Sequence, residues 1–306
     1  MTIIGTSTTA FYDRATIDMN ALRTQANTLQ SQISTGAKLT QSSDNPLAAS
    51  QLRQLTRATT LSAIDTTAAD GASSDLNLAD NALTSFGDNI QRVQELATQA
   101  ASSTLTDAQR AGIGTELGQI HGNLVALANS RDSAGHALFG GQSAGDAYTL
   151  DATGNAVYAG TASAGEVSLG EGQVVGKGVT GPDFLSFTAG GTSTDLMKVV
   201  KTLADALKAG GTAAPAAAKN ALGSLQTALD SVTTSQTVVG SRLAWIDQTT
   251  QHRQVVSEAR SSQQSTLGGT DIASTVAQLQ QTMLVLQASQ ASFAKLSSLS
   301  LFDVLH

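Results

Sequence analysis

Three groups of residues in this 306-residue sequence have types that could do chemistry. Residues 141–145 read Gly-Gln-Ser-Ala-Gly, which is the G-x-S-x-G form of a hydrolase nucleophile turn with Ser143 as nucleophile. Residues 170–177 contain three glycines and end in Lys177, like a loop that cradles phosphate. Imidazoles can ligate zinc, and the chain has four histidines: His121, His136, His252 and His306.

None of these groups has the surroundings that its chemistry needs. A nucleophile turn follows a buried strand and precedes a helix, whereas 141–145 follows a helical pattern and precedes a glycine-rich segment. The glycine spacing before Lys177 does not fit G-x-x-x-x-G-K, and Gly178 stands where a magnesium-binding hydroxyl belongs. The histidines form no i, i+4 pair, and there is no cysteine. The sequence therefore predicts no catalytic residue, no cofactor, no metal and no enzymatic activity.

Composition excludes two further classes of function. Charged residues make up 13% of the chain and the net charge is −7 without any basic run, which argues against nucleic acid as a partner. Aromatic residues are 4%, too few for a platform on which bases stack. No stretch reaches the 18 or so apolar residues of a membrane span, so we expect no membrane insertion.

The clearest periodic patterns lie at the two ends of the chain. Their apolar residues repeat every 3.5 residues on average, which is the seam of a coiled coil that another helix must cover. The N-terminal helix is expected from about Thr16 to Gly36, and the C-terminal helix opens at Thr270 and Asp271. The seam positions are Met19, Leu22, Ala26, Leu29 and Ile33, then Ile272, Val276, Leu279, Met283, Leu286, Gln290 and Phe293.

Between the ends, two helical regions flank a different kind of segment. Asn45 and Pro46 predict the start of a helix, which continues as one helix or two to about residue 101. Thr106 and Gln109 predict a capping box for the next helix, expected to end near Gly135. Fourteen of the 28 glycines fall in 135–191, among short β-rich runs such as 148–150, 157–158 and 174–175. Helical patterns return from Leu196.

This layout predicts a mainly α fold: an elongated helical bundle or coiled coil, formed by the two chain halves, with a small β-rich domain inserted. The pattern predicts five divisions of the chain. They are an N-terminal assembly helix in 1–45, the first half of the bundle in 46–140, a β-rich outer domain in 141–191, the second half of the bundle in 192–267 and a C-terminal assembly helix in 268–306.

Short motifs resemble those of the bacterial flagellin family. Residues 33–39 (Ile-Ser-Thr-Gly-Ala-Lys-Leu, with Gly36) and 43–46 (Ser43-Asp44-Asn45-Pro46) are similar to its N-terminal signature, with Asn45 in place of a second aspartate. Residues 135–141, including Leu138, Phe139 and Gly141, resemble its G-x-YLFxG segment, with Ala137 in place of the aromatic residue. The ending with Leu299, Leu301 and Phe302 is similar to its C-terminal block. Pro46 favours the hook–filament junction branch of the family.

The resemblance implies a structural protein of the bacterial flagellum. It implies a ring of about eleven copies between the first hook-associated protein on the hook side and flagellin on the filament side. It also implies terminal helices that order on assembly, and an export chaperone that binds the C-terminal region. The location implied is extracellular, reached through the flagellar type III apparatus. The first residues agree with this route, because they have no basic region followed by an apolar core of the cleaved Sec type.

Some alternatives stay open from the sequence. The chain could be flagellin itself, the filament subunit, or a secreted hydrolase using Ser143. Gln290 either fixes the register of packed helices or lies where the seam is loose. The sequence does not show which faces meet which neighbour.

Overall fold

A computed structural model describes residues 4–303 of the chain, with side chains described for 10–296. Within this part are seven helices: α1 (Ile4–Thr35), α2 (Pro46–Ala100), α3 (Asp107–Ala128), α4 (Gly181–Leu185), α5 (Leu196–Ala209), α6 (Ala213–Gly268) and α7 (Ile272–Asp303). Six strands lie between α3 and α5: β1 (Tyr148–Leu150), β2 (Ala156–Tyr158), β3 (Glu166–Gly170), β4 (Gln173–Gly176), β5 (Ser186–Ala189) and β6 (Thr192–Asp195). The predicted mainly helical fold with a small β-rich insertion is confirmed.

Local capping signals fix several helix ends where the sequence predicted them. The Thr106 hydroxyl accepts the backbone N–H of Gln109, whose side chain accepts the N–H of Thr106 in return, so the predicted capping box is confirmed. The stretch from residue 46 to 100 is one helix of 55 residues. The question of one helix or two is thereby resolved.

Two predicted helix boundaries were wrong because distant contacts move them. Helix α1 begins at Ile4, well before Thr16, and its first half contacts α7 through Tyr12, whose ring packs edge-on against Phe293. Helix α3 ends at Ala128 and does not reach Gly135. The Asn129 amide pairs with the backbone of Tyr148, donating to its carbonyl and accepting its N–H at 2.8 Å each, and this pairing draws the chain out of the helix.

The chain divides into two compact units. Unit 1 comprises 1–60 and 255–306, and unit 2 comprises 61–254. Unit 2 holds the continuous hydrophobic core, in which the fully buried rings of Phe86, Phe139 and Phe184 meet with centroid distances of 4.9–6.2 Å. These residues come from α2, the loop after α3, and α4. The ring cluster therefore ties the insertion to the helices of unit 2.

Helices α3 and α5 of unit 2 approach each other very closely. A Cβ atom at Gly114 would lie 2.8 Å from the Ala204 carbonyl oxygen, and one at Gly118 would lie 3.0 Å from Lys208 Nζ. A side chain at Gly114 would push the helices apart, whereas one at Gly118 would displace the end of the Lys208 side chain. The two glycines thus allow a tight helix pair, whose buried α5 face is formed by Val200, Leu203, Ala204 and Leu207.

The insertion consists of three separate antiparallel strand pairs: β1 with β2, β3 with β4, and β5 with β6. The sequence-predicted strands at 148–150, 157–158 and 174–175 are confirmed within them. Two arginines of α6 hold the β3–β4 region in place. Arg253 donates to the Leu169 carbonyl at 3.0 Å, and Arg242 donates to the Gly178 carbonyl at 2.7 Å. Both interactions satisfy carbonyls outside the helix ladder.

Candidate assembly interface

The residues predicted to carry assembly lie mostly in unit 1, where α1 packs against α7. Two backbone hydrogen bonds join the helix ends: Lys38 N–H donates to the Gly268 carbonyl at 2.7 Å and Thr270 N–H donates to the Gly36 carbonyl at 3.0 Å. Gly36 makes this connection possible with a φ of +68°, which a residue with a side chain rarely adopts. Because Gly36 adjoins Thr270 and Tyr12 adjoins Phe293, the two helices are antiparallel.

The loop motif 43–46 is a helix cap. Asn45 Oδ1 accepts the N–H of Ala48 at 3.1 Å, and Pro46 occupies the first helical position, as predicted. Asp44 closes the preceding turn by accepting the Gln41 N–H at 2.8 Å and the Thr40 N–H and hydroxyl. These bonds, led by that from Gln41, lower the pKa of Asp44 below its usual range. Both side chains therefore shape the route from α1 into α2.

Loss of the Asn45 cap is expected to loosen the first turn of α2. In Asn45→Ala the Ala48 N–H loses its acceptor, at a cost of about 1 kcal/mol, so its amide exchange should rise about fivefold. Asn45→Asp keeps an acceptor oxygen at this site and serves as the matched control. Equal exchange of Ala48 in both variants would contradict a capping role.

The predicted seam of α1 turns toward its neighbours. Leu29 is buried, and the other four seam residues, Met19, Leu22, Ala26 and Ile33, are half-buried. The aromatic contact near the far end is reinforced by the Tyr12 hydroxyl, which donates to the Leu296 carbonyl at 3.2 Å. This helix therefore presents one continuous apolar stripe, as the 3.5-residue spacing indicated.

Helix α7 divides its predicted seam between an inner and an outer face. Val276, Leu279, Leu286, Gln290 and Phe293 are half-buried, whereas Ile272 is 55% exposed and Met283 is 48% exposed. The residues buried in their place are Thr275 and Thr282. Leu299, Leu301 and Phe302, also predicted to take part in assembly, lie outside the residues whose side chains are described.

Sequence reasoning missed the two buried threonines because it did not count threonine among the seam residues. Each hydroxyl donates to the carbonyl four residues earlier, at 2.7 Å for Thr275 and 2.8 Å for Thr282. The hydroxyl is then satisfied within its own helix and the methyl group is free to pack. Thr275, Leu279, Thr282 and Leu286 have the heptad spacing of a coiled-coil seam once threonine is counted as a seam residue.

Unit 1 leaves several large apolar side chains in water. The most exposed on α1, α2 and α7 are Ile17 at 66%, Leu47 at 70% and Leu284 at 68%. Exposed neighbours on the last helix include Met283 and Val285. A run of exposed apolar residues such as 283–285 is typical of a surface that binds another protein.

Residues 137–140 of the motif in 135–141 pack into the core of unit 2, whereas Gly135 and His136 are exposed. Phe139 is fully buried and Leu138 is partly buried against the core. Gly141 has a φ of +68°, and a Cβ there would collide with Thr161. This part of the motif shapes and packs the turn that leads into the insertion.

The segments that suggested chemistry occupy turns and hairpins. Ser143 lies in the turn before β1, where its hydroxyl accepts the Gly145 N–H at 3.3 Å. Gly170 and Gly172 flank the turn between β3 and β4, and Lys177 follows β4, 3.8 Å from Asp75. Among residues 10–296, whose side chains are described, no three histidine, aspartate or glutamate side chains come together as a metal site would require. In that same span, every helix is too short or too polar to cross a membrane.

Comparison with known proteins finds a similarity for the N-terminal part of the chain. Residues 4–144, which include α1, the Asn45 cap and the Phe139 turn, match the bacterial flagellin N-terminal helical region. The predicted resemblance to flagellar hook-associated protein 3, in the flagellin family, is confirmed by two curated relatives.

The two flagellin-family relatives bear the same name. The chain is 26% identical over 288 residues to flagellar hook-associated protein 3 of Escherichia coli, an alignment that covers 89% of this chain and 90% of the relative. It is 36% identical over 113 residues to flagellar hook-associated protein 3 of Salmonella typhimurium. That alignment spans 37% of this chain and only 36% of the Salmonella protein.

Solved structures share the fold of this chain. A putative flagellar hook-associated protein from Vibrio parahaemolyticus superposes with a TM-score of 0.67 at 20% identity, covering 74% of this chain and 99% of that one. The flagellar junction protein FlgL from Legionella pneumophila gives a TM-score of 0.60 at 12% identity, covering 72% and 100%.

Proposed function

We propose that this chain is a structural subunit of the bacterial flagellum that joins hook to filament, and that it is not an enzyme. The observation that carries the proposal is the alignment with Escherichia coli flagellar hook-associated protein 3 over 89% of the chain. The fold shared with a flagellar junction protein supports it. The turn and hairpin settings of Ser143 and Lys177 favour a structural role over catalysis.

Assembly is proposed to proceed through the terminal helices. The α1–α7 pair of unit 1 buries one stripe and leaves Ile17, Met283 and Leu284 exposed. Burying a large apolar side chain contributes about 1.5–3 kcal/mol, so a contact in which a neighbouring subunit covers these residues would be stable. Repetition of a head-to-tail contact with rotation closes a ring, here of about eleven copies.

The partners and route follow from the same proposal. The ring would contact the first hook-associated protein on the hook side and flagellin on the filament side. Export would use the flagellar type III apparatus without a cleaved Sec signal, with a cytoplasmic chaperone bound to the C-terminal region. The working location is then the extracellular flagellum.

Flagellin itself, the filament subunit, is the less favoured function. Both curated relatives described above are named hook-associated protein 3. Growth of long filaments by the purified chain alone, after seeding, would reverse this preference.

Binding to the two axial neighbours tests the proposal. The full-length purified chain is expected to be retained by immobilised first hook-associated protein and by immobilised flagellin from the same bacterium. Bovine serum albumin, immobilised at equal density, controls for non-specific adsorption. Failure to bind either neighbour, with normal motility of a strain lacking the gene, would overturn a junction role.

A further inference from the structure

The buried imidazole of His121 has no role in the proposed function. His121 lies on α3 in unit 2 and is 9% exposed, whereas His136 and His252 are exposed. Its Nε2 atom is buried without a hydrogen-bond partner. A buried polar atom that lacks a partner costs free energy, so its presence in a well-packed interface calls for an explanation.

The surroundings of His121 disfavour a second positive charge. Lys201 of α5 acts on the imidazole and is itself paired with Asp205, with Nζ 2.6 Å from the carboxylate. Further along the same face, Lys208 packs against Gly114 and Gly118. On the α2 side, Glu116 of α3 is already paired with Arg92 at 2.7 Å. Asp205, the carboxylate that acts on His121, is thus already paired with Lys201.

Protonation of His121 would therefore place a cation against Lys201 inside the tightest helix pair of unit 2. At Gly114 the α5 backbone comes so close that a Cβ atom would lie 2.8 Å from the Ala204 carbonyl oxygen, so this part of the interface has little room for water. Separation of the helices is the simplest way to hydrate the charged ring.

We propose that His121 is an acid-sensitive latch between α3 and α5. The neutral ring packs in the interface and holds α5 in place, and the protonated ring loosens α5 from α3. This inference concerns unit 2 alone and does not depend on the flagellar role.

The direction of the pH effect follows from the burial of the ring. Burial, and then the charge of Lys201, lower the pKa of His121 below its ordinary 6.5, while Asp205 opposes them. Between the folded and unfolded pKa values, the open state binds a proton that the closed state does not. The contribution of His121 to the closed state is therefore complete above about pH 6.5 and declines as the pH falls below it.

Two measurements on the full chain test the latch. Titration by NMR is expected to place the midpoint of His121 below 6.5. Amide exchange, corrected for intrinsic pH dependence, should show the protection of α5 falling about fivefold or more between pH 7.5 and pH 5.5. Burial also raises the pKa of the Asp75 and Asp195 carboxyls in unit 2. The protection of α5 is therefore compared between variants at the same pH.

The variants separate the latch from general acid effects. His121→Gln cannot acquire the charge, and it should lose the extra decline in α5 protection. His252→Gln removes an exposed imidazole and should keep that decline. A His121 midpoint at or above 6.5 in the unaltered chain, or the same decline in His121→Gln, would overturn the proposal. The NMR titration needs no variant, so a His121 midpoint at or above 6.5 would overturn the proposal even if His121→Gln folds poorly.

Discussion

Placing two carboxylates on the outer face of α7 is expected to abolish assembly without unfolding the subunit. Met283 and Leu284 are 48% and 68% exposed, so Met283→Asp with Leu284→Asp removes little packing from the isolated chain. If assembly buries these two positions, each substitution removes about 1.5–3 kcal/mol of binding free energy from apolar burial. Each new carboxylate also adds a desolvation cost on binding. Binding to neighbouring subunits should weaken at least about a hundredfold.

The measurement is the affinity of the purified variant for first hook-associated protein and flagellin, with motility of the corresponding strain. A matched control is Gln281→Asp with Gln287→Asp, which adds the same charge and the same helix penalty at two exposed polar positions of α7. The control should bind nearly as the parent does. If both double variants bind equally well, the outer face of α7 is not buried on assembly.

Truncating Phe139 should produce the largest loss of stability of any single change considered for unit 2. Its ring is fully buried and contacts Phe86 and Phe184 at 6.2 and 4.9 Å between centroids. Phe139→Ala is expected to cost about 3–5 kcal/mol through lost burial and the cavity that remains. A typical domain has a net stability of only about 5–15 kcal/mol, so this variant should be close to unfolding at physiological temperature.

Urea unfolding checks this value, with the single tryptophan, Trp245, as a fluorescent reporter within unit 2. Phe11→Ala is the control, because that ring is 51% exposed and belongs to unit 1. The urea midpoint seen by Trp245 should fall sharply in the first variant and stay near that of the parent in the second. A loss below about 1.5 kcal/mol for Phe139→Ala would mean that the ring cluster is not a principal support of unit 2.

The two short motifs that carry the family resemblance have different structural roles. The motif at 135–141 acts in the core, through the Phe139 ring and the turn at Gly141. The motif at 43–46 acts through hydrogen bonds that start α2. Neither needs to contact a partner to explain its residue types. The surface proposed to meet other subunits consists instead of apolar residues with no short signature, such as Ile17 and Leu284.

Much of the fold was predictable because its signals act over three or four residues. The Thr106 capping box, the Asn45 cap and the strand pairs between glycine turns depend on backbone groups close in sequence. Heptad spacing likewise identified α1 and α7 as helices that pair through apolar stripes. The predicted assembly residues themselves remain a prediction, which the α7 variants would test.

By itself, the sequence determined the kinds of elements, most of their ends and the existence of apolar stripes, since propensity, capping and periodicity are local. Tertiary structure decided that α3 ends at Ala128, that α7 buries Thr275 and Thr282 while Met283 faces water, and that His121 lies near enough to Lys201 to be influenced by its charge. Each of these outcomes depends on a group from a distant segment. The end of α3 depends on the backbone of Tyr148, the buried face of α7 depends on α1, and the environment of His121 depends on a lysine of α5. Packing chooses among the faces that a periodic pattern offers, because burial is settled by the whole set of neighbours and not by the helix alone.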